Sequence, residues 1–300
     1  MKANIRSKSL FSACALSLAV SASSMALEYG SSIEDTTWSV TGSVFECRFA
    51  QTIPRYGEAV FFHQAGEDVK FQLYAKRNLL DYTQAQVSIT PPPWRPSRYS
   101  ESLGSVQVQQ DKSGPYLTLD SKRTNQFIHA LLDGQWPVIS HHTYYDEKEF
   151  VKLHVSSIGF PDFYPIYLSC VDQLLHYNFK QVANSKVLFD EGGDSFLDPQ
   201  DTKVLDRVAY YIQHDPRVFI VYLDGHTDNT GRRFDNREVS RARVENVERY
   251  LVKKGINPDI ITTRFHGERY PIADNATAKG RAQNRRVTIR LEMREDMPIP

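Results

Sequence analysis

The stretch Asp224-Gly-His-Thr-Asp-Asn-Thr-Gly231 decides the fold of the second half of this 300-residue chain. It follows residues 217–223, a near-continuous apolar run typical of a buried strand. Its polar residues and final glycine predict a loop at the end of that strand. Residues 237–254 then show the amphipathic pattern of a helix, which Gly255 would end.

Strands and helices also alternate on both sides of this stretch. Pro199 is expected to begin a helix, because proline suits the first helical turn. Further strands are predicted at residues 186–189, 260–265 and 287–291. The resulting order, β-α-β-α-β-(α)-β, predicts an α+β sandwich layer over residues 181–300.

Residues 27–180 have a different pattern, in which apolar and polar side chains alternate as in half-buried strands. The segment Pro91-Pro-Pro-Trp-Arg-Pro96 cannot occupy a central strand, so it is expected in a loop or at an edge. A short helix is predicted within residues 168–177. Strands are predicted at residues 69–76, 87–89, 106–108, 116–119 and 150–155. We therefore expect a β-rich domain with an antiparallel sheet or a partial barrel.

The first 26 residues have the features of a secretory signal peptide. Basic residues precede an apolar run, and Ser24-Met25-Ala26 fits the small-x-small cleavage pattern. The run is too short for a membrane-spanning anchor. Lipid modification at Cys14 is disfavoured, since Phe11 stands where a small aliphatic residue is usual. Export to the periplasm is therefore predicted.

Removal of the signal peptide leaves two cysteines, Cys47 and Cys170. An even pair in an oxidising compartment favours a disulfide, which would close a loop of roughly 120 residues. The alternative is two independent buried thiols.

Charge is unevenly distributed along the chain. Its 36 Lys and Arg residues balance 36 Asp and Glu residues, which disfavours a protein that binds nucleic acid as a whole. Residues 227–290, however, contain 15 basic and eight acidic residues, an excess of seven positive charges. The neutral chain therefore contains a locally basic region.

Asp228 and Arg243 are the candidate binding residues within this region. A loop carboxylate and a helix guanidinium that converge at a cleft suit a zwitterionic ligand, through charge-assisted hydrogen bonds. The alternative is an ordinary salt bridge within the domain.

These residues and the flanking motifs resemble the OmpA-like family of peptidoglycan-binding domains over about a third of the chain. The resemblance rests on GHTDNTG at residues 225–231, on Asn236 and Arg243, and on the PIADN…GR…NRRV ending of residues 271–287. It implies binding of meso-diaminopimelate in the peptidoglycan stem peptide, with Asp228 and Arg243 on its charged groups. It further implies that Thr230 and Asn236 line the pocket, and that Asp190 and Arg286 lie at its edge.

The mature chain also resembles the MotY family of flagellar motor proteins. The shared features are Glu46-Cys47, residues 53–57, the PPPWRP segment and Cys170. This resemblance implies a periplasmic T-ring component that contacts a MotX-like partner and the basal body and assists PomA/PomB-type stator units. Trp94 and Arg95 are candidate partner contacts, whereas packing of Trp94 in the core is the alternative.

Two other functions compete with this interpretation. An OmpA-type envelope protein would tether the envelope to peptidoglycan without a flagellar role, and residues 27–180 are numerous enough for eight short membrane strands. An enzyme would have to use His226 with Asp228, or His141-His142. The chain has no HExxH, GxSxG or CxxC motif, so no catalysis, metal or cofactor is predicted.

Overall fold

The computed structural model describes residues 27–75, 84–96, 99–109, 114–142, 150–191 and 198–294. The predicted signal peptide lies outside the described residues. The strands are β1 (Leu27–Tyr29), β2 (Trp38–Gly42), β3 (Glu46–Ile53), β4 (Gly57–Gln64), β5 (Lys70–Ala75), β6 (Gln84–Thr90), β7 (Glu101–Gln107), β8 (Leu117–Leu119), β9 (Trp136–His142), β10 (Phe150–His154), β11 (Asn184–Leu188), β12 (Val218–His226), β13 (Ile261–Gly267) and β14 (Arg286–Met293). The helices are α1 (Ser121–Leu132), α2 (Phe160–Val171), α3 (Phe179–Val182), α4 (Pro199–His214), α5 (Arg233–Lys253) and α6 (Ala278–Asn284), with a 3₁₀ turn at Pro258–Ile260.

The second half of the chain forms the predicted α+β layer. Its four-stranded sheet has the order β11-β14-β12-β13, with β12 and β13 parallel and the other neighbours antiparallel. Helix α4 begins as predicted, because Pro199 occupies its first turn and the Asp198 carboxylate caps it by accepting two backbone N–H groups. Val244 and Val247 on α5 pack into the core against the sheet.

The first half contains two five-stranded sheets, with orders β1-β10-β9-β6-β7 and β2-β3-β4-β5-β8. The β-rich prediction is confirmed, although β1 pairs with β10 in parallel and not antiparallel. The two sheets share a core in which the ring of Trp38 lies 4.6 Å from that of Phe49 and 4.9 Å from that of Phe160. Helix α2 begins eight residues before the predicted helix, because Pro161 is accommodated in its first turn.

The two halves contact each other through loops of the second sheet. Phe45 and Ala65 lie in the same hydrophobic cluster as the core of the α+β layer. The Arg217 guanidinium lies 4.7 Å from the centre of the Phe45 ring. The Gln181 side-chain amide donates a 2.8 Å hydrogen bond to the Gly66 carbonyl. The contact therefore combines apolar packing with polar bonds.

The predicted disulfide joins Cys47 of β3 to Cys170 of α2, with the two Cα atoms 6.1 Å apart. Cys47 is fully buried, two residues from Phe45. The disulfide therefore fastens α2 to the second sheet beside the contact between the halves. No helix in the described part of the chain has the length and apolar character to span a membrane.

Candidate functional site

The site lies at the end of β12, where α5 crosses the strand closely. Gly225 makes this approach possible, since a Cβ atom there would come 2.4 Å from the Ser240 carbonyl oxygen and 2.6 Å from a Val244 methyl. The loop that begins at Thr227 then leads into α5. Because Leu188 at the end of β11 and His226 at the end of β12 both pair with Arg286, the two strand ends lie at one edge of the sheet.

Asp228 is an almost fully buried carboxylate in this loop, with 6% of the residue exposed. One oxygen accepts the Thr230 backbone N–H at 3.0 Å, and the other accepts Nη1 of Arg285 at 2.9 Å. Burial alone would raise the pKa of Asp228, but the bonds from Arg285 and Thr230 outweigh it and hold the pKa below its ordinary value. Asp228 is therefore an anion at neutral pH.

Arg243 supplies a buried cation from α5, and it is only 1% exposed. Its Nη1 donates to the His226 carbonyl at 3.1 Å, and its Nη2 donates a long 3.4 Å bond to the Asp190 carbonyl. The guanidinium also lies 5.2 Å from the centre of the Phe189 ring. Arg243 is thus held between the end of β12 and the residues that follow β11.

The segment Phe189-Asp190 connects the two charged groups. Arg285, which holds Asp228, also donates Nε to the Phe189 carbonyl at 3.0 Å. Arg243 contacts both residues of the segment. An anion, two cations and a short backbone segment therefore converge at one end of the sheet.

The other predicted pocket residues are more dispersed. Thr230 is exposed and contributes its backbone N–H, whereas Asn236 is buried and donates to the Glu268 carboxylate at 2.7 Å. The Arg286 guanidinium bonds the Tyr270 carbonyl at 3.1 Å and the Asn284 carbonyl at 3.4 Å. Burial lowers the pKa of Arg286. Roles for these three residues in ligand binding stay predictions.

Sequence reasoning missed Arg285, the partner of Asp228. The segment Asn284-Arg-Arg-Val287 contains two adjacent arginines, and the prediction selected Arg286. Consecutive residues at a strand start point in opposite directions, so only one of the two can face Asp228. The sequence alone carries no signal that separates the two arginines, because the choice depends on the turn between α6 and β14.

Two histidines at the ends of β12 and β13 stack on each other. The rings of His226 and His266 lie 5.0 Å apart, and His266 Nε2 is 2.8 Å from Asp224. Burial, together with the nearby Arg286 charge, lowers the pKa of His226 to about 4, so this ring is neutral at neutral pH. No group of three or more His, Cys, Asp or Glu residues within the described ranges is arranged to hold a metal ion.

The candidate partner contact in the first half lies at the surface. Trp94 is 50% exposed, and its ring packs edge-on against Trp136 at 5.2 Å. The Arg95 backbone N–H closes the turn by donating to the Pro92 carbonyl at 2.9 Å. Trp94 therefore lies outside the buried core.

Comparisons with known proteins agree with this two-part structure. Residues 29–176 match the MotY N-terminal domain, and residues 188–285 match the OmpA family. The chain is 26% identical over 270 residues to the sodium-type flagellar protein MotY of Vibrio parahaemolyticus, an alignment that covers 89% of this chain and 91% of that protein.

Other relatives align with shorter parts of the chain. The peptidoglycan-binding protein ArfA of Mycobacterium bovis is 38% identical over 120 residues, which are 40% of this chain and 36% of ArfA. The C-terminal domain of Helicobacter pylori MotB aligns with 37% of this chain and 87% of its own, at 25% identity and a TM-score of 0.35. The chain thus joins a MotY N-terminal domain, at residues 29–176, to an OmpA-family domain, at residues 188–285.

Proposed function

We propose that this protein is a periplasmic flagellar motor component that holds peptidoglycan through residues 181–300 and contacts the motor through residues 27–180. The observation that carries the proposal is the convergence of Asp228 and Arg243 at one sheet end in a chain with a MotY N-terminal domain. The similarity to proteins named for flagella and for peptidoglycan binding supports both halves of the proposal.

The ligand is the zwitterionic end of meso-diaminopimelate in the stem peptide. Asp228 receives its ammonium group, because a carboxylate has about four acceptor positions and the described contacts occupy two. Arg243 receives its carboxylate in place of the long bond to the Asp190 carbonyl. Arg285 keeps Asp228 ionised and oriented for this contact.

The first domain joins a MotX-like partner and the basal body in a T ring, and thereby helps PomA/PomB-type stator units to assemble. The exposed Trp94 and its neighbour Arg95 support this role, because tryptophan and arginine are enriched at binding hot spots. The packing of Phe45 against the second domain supports the transfer of load between the motor and the wall. This is a binding role, without catalysis or nucleic acid.

Wall binding is tested by cosedimentation of the full chain with purified sacculi. Asp228→Ala and Arg243→Ala should each abolish it, because each leaves one charged group of the ligand unpaired. Asp235→Ala is the matched control, since this exposed carboxylate pairs only with the exposed Arg232 in the described structure. Unchanged far-UV circular dichroism would establish that the variants fold, and normal sedimentation of both site variants would refute the assignment.

The flagellar role is tested by gene deletion, with swimming and stator localisation as the measurements. We expect loss of both, and restoration by the unsubstituted gene but not by Asp228→Ala. Normal swimming of the deletion strain would discard the flagellar role. It would favour the alternative of an envelope protein that tethers peptidoglycan.

A further inference from the structure

A second concave surface lies on the other flank of α5. This cavity, of about 450 Å³, is formed by the first turns of α5, the end of β13 and the residue pair beyond it. Its lining residues are Arg233, Phe234, Arg237, Phe265, His266 and Arg269. We refer to it as the arginine cavity.

The arginine cavity has uncompensated positive charge. Within the described ranges, the guanidinium groups of Arg233, Arg237 and Arg269 form no ion pair or hydrogen bond, and all three residues are exposed. The neighbouring acids have other partners. Asp224 pairs with Arg264 and His266, Asp235 pairs with Arg232, and Glu268 accepts from Asn236.

The rim of the arginine cavity also includes one exposed aromatic side chain. Phe234 is 74% exposed, although it stands in the first turn of a long helix. Free guanidinium groups beside an exposed aromatic side chain are the composition that binding surfaces favour. The planar forks of the arginines match carboxylates in particular. The chemistry of the cavity therefore suits a carboxylate-bearing chain with some apolar surface.

The arginine cavity and the Asp228 site open at the same end of the sheet. Strands β12 and β13 are parallel, and their last residues, His226 and Gly267, are partners in register. The Asp228 site lies on the β11 side of α5, and the cavity lies on the opposite side, at the edge strand β13. An α-helix with its side chains is about 10–12 Å across, so both surfaces are within reach of one polymer.

We propose that the arginine cavity is a second peptidoglycan subsite, which binds carboxylates of a stem peptide next to the one held at Asp228. This inference rests on the proposed function of the Asp228 site. Peptidoglycan presents carboxylates repeatedly along one network, so a second weak contact is made at high effective concentration. The cavity then strengthens binding to the polymer and leaves binding of a single stem peptide unchanged.

The test compares two probes, purified sacculi and soluble disaccharide-tetrapeptide monomers, on the full chain. The variant is Arg233→Gln with Arg237→Gln and Arg269→Gln. The control removes three exposed positive charges away from the cavity, by Lys203→Gln, Arg249→Gln and Lys253→Gln. We expect the cavity variant to bind sacculi about tenfold more weakly, with a flatter salt dependence, and to bind monomers normally. The control should match the unsubstituted protein with both probes.

Three results would overturn the proposal. If the cavity variant bound sacculi as tightly as the unsubstituted protein, peptidoglycan would not be the ligand of the arginines. An acidic protein partner or an anionic lipid would then be the ligand to test. An equal loss of sacculus binding by the control variant would mean that the overall positive charge of the protein, and not the cavity, attracts it to peptidoglycan. A parallel loss of monomer binding would place the arginines in the first stem-peptide site. By contrast, failure of the unsubstituted protein to bind monomers would contradict the proposed function itself.

Discussion

The two halves of the molecule bury different kinds of side chain. The core of the first half consists largely of aromatic and aliphatic side chains, with Trp38, Phe49 and Phe160 in mutual contact. Within the described residues, the buried aspartates and arginines all belong to the second half; they are Asp201, Asp215, Asp228, Arg243 and Arg286. Burial of rings stabilises a fold directly, whereas burial of charge costs free energy unless each group is paired.

Two aspartates of the second half, Asp215 and Asp228, lie on either side of β12 and have different surroundings. Asp215 precedes β12 and is fully buried, and its two oxygens are held by Arg217 and by the Tyr211 hydroxyl. Asp228 follows the same strand but keeps slight exposure and accepts fewer hydrogen bonds. The first carboxylate is committed to bonds within the domain, whereas the proposed function assigns a ligand to the second.

The largest expected effect tests the first half. Replacement of both cysteines, by Cys47→Ala with Cys170→Ala, should lower the free energy of unfolding by about 4–5 kcal/mol, because the bond constrains a long loop in the unfolded chain. Urea denaturation measures the change. Muropeptide binding should persist at low temperature, and an unchanged urea midpoint would contradict the stabilising role of the disulfide.

Loss of one core ring should have the next largest effect. Phe160→Ala should cost about 3–4 kcal/mol, since it leaves a cavity among the rings of Trp38 and Phe49. Phe163→Ala, on the exposed face of the same helix, is the matched control and should cost less than about 1 kcal/mol. Equal costs in urea denaturation would mean that the ring cluster is not the stabilising core.

The role of the Asp215 carboxylate is tested by Asp215→Asn. This variant should cost about 2–3 kcal/mol at neutral pH, because it leaves the Arg217 side chain, which is 11% exposed, without its counter-ion. Burial alone would raise the pKa of Asp215, yet the bonds from Arg217 and Tyr211 outweigh it and hold the pKa below the ordinary 3.8. A lowered pKa stabilises the folded state above pH 3.8, and this stabilisation is lost as pH falls through the folded pKa.

The difference between the unsubstituted protein and Asp215→Asn should therefore be constant at neutral pH and shrink below about pH 4. Urea denaturation across this range gives the measurement. Sacculus binding by the variant should stay normal. If a folded Asp215→Asn protein lost wall binding, Asp215 would also be required for binding, and its role would not differ from that of Asp228.

A smaller effect is expected at the residue that sequence reasoning missed. Arg285→Gln should cost about 1 kcal/mol of stability, because its bonds to Asp228 and Phe189 are lost. The pKa of Asp228 should then rise, since the Arg285 cation helps to lower it. As the pH is lowered, the variant should therefore lose binding to sacculi at a higher pH than the unsubstituted protein does. Identical pH profiles of the two proteins would exclude this positioning role of Arg285.

The two halves also differ in how far sequence predicts them. Every strand and long helix of the second half was predicted, because apolar runs and helical spacings are bounded there by Gly, Pro and polar residues. In the first half, five strands escaped prediction: β1, β2, β3, β4 and β9. Val60 and Phe61 are adjacent and both fully buried, although their side chains point to opposite faces of the strand. Burial on both faces removes the alternation by which an antiparallel strand is recognised.

Helix α1 and the arginine that contacts Asp228 were also not predicted from the sequence. Asp120 caps α1 and Phe127 and Leu131 lie four residues apart, but a surrounding strand pattern concealed this short signal. At the site, the motif located Asp228 and Arg243, whereas the choice between Arg285 and Arg286 depends on the turn between α6 and β14. Spacing along the chain does not determine that turn.

The most direct test of the central claim is calorimetric titration of the full chain with two muropeptides, identical except for meso-diaminopimelate or lysine at the third position. Lysine keeps the ammonium group for Asp228 and lacks the carboxylate for Arg243. The proposal predicts that the diaminopimelate form binds at least about thirtyfold more tightly, and that Arg243→Ala removes this preference. Equal affinity of the unsubstituted protein for the two forms would contradict it.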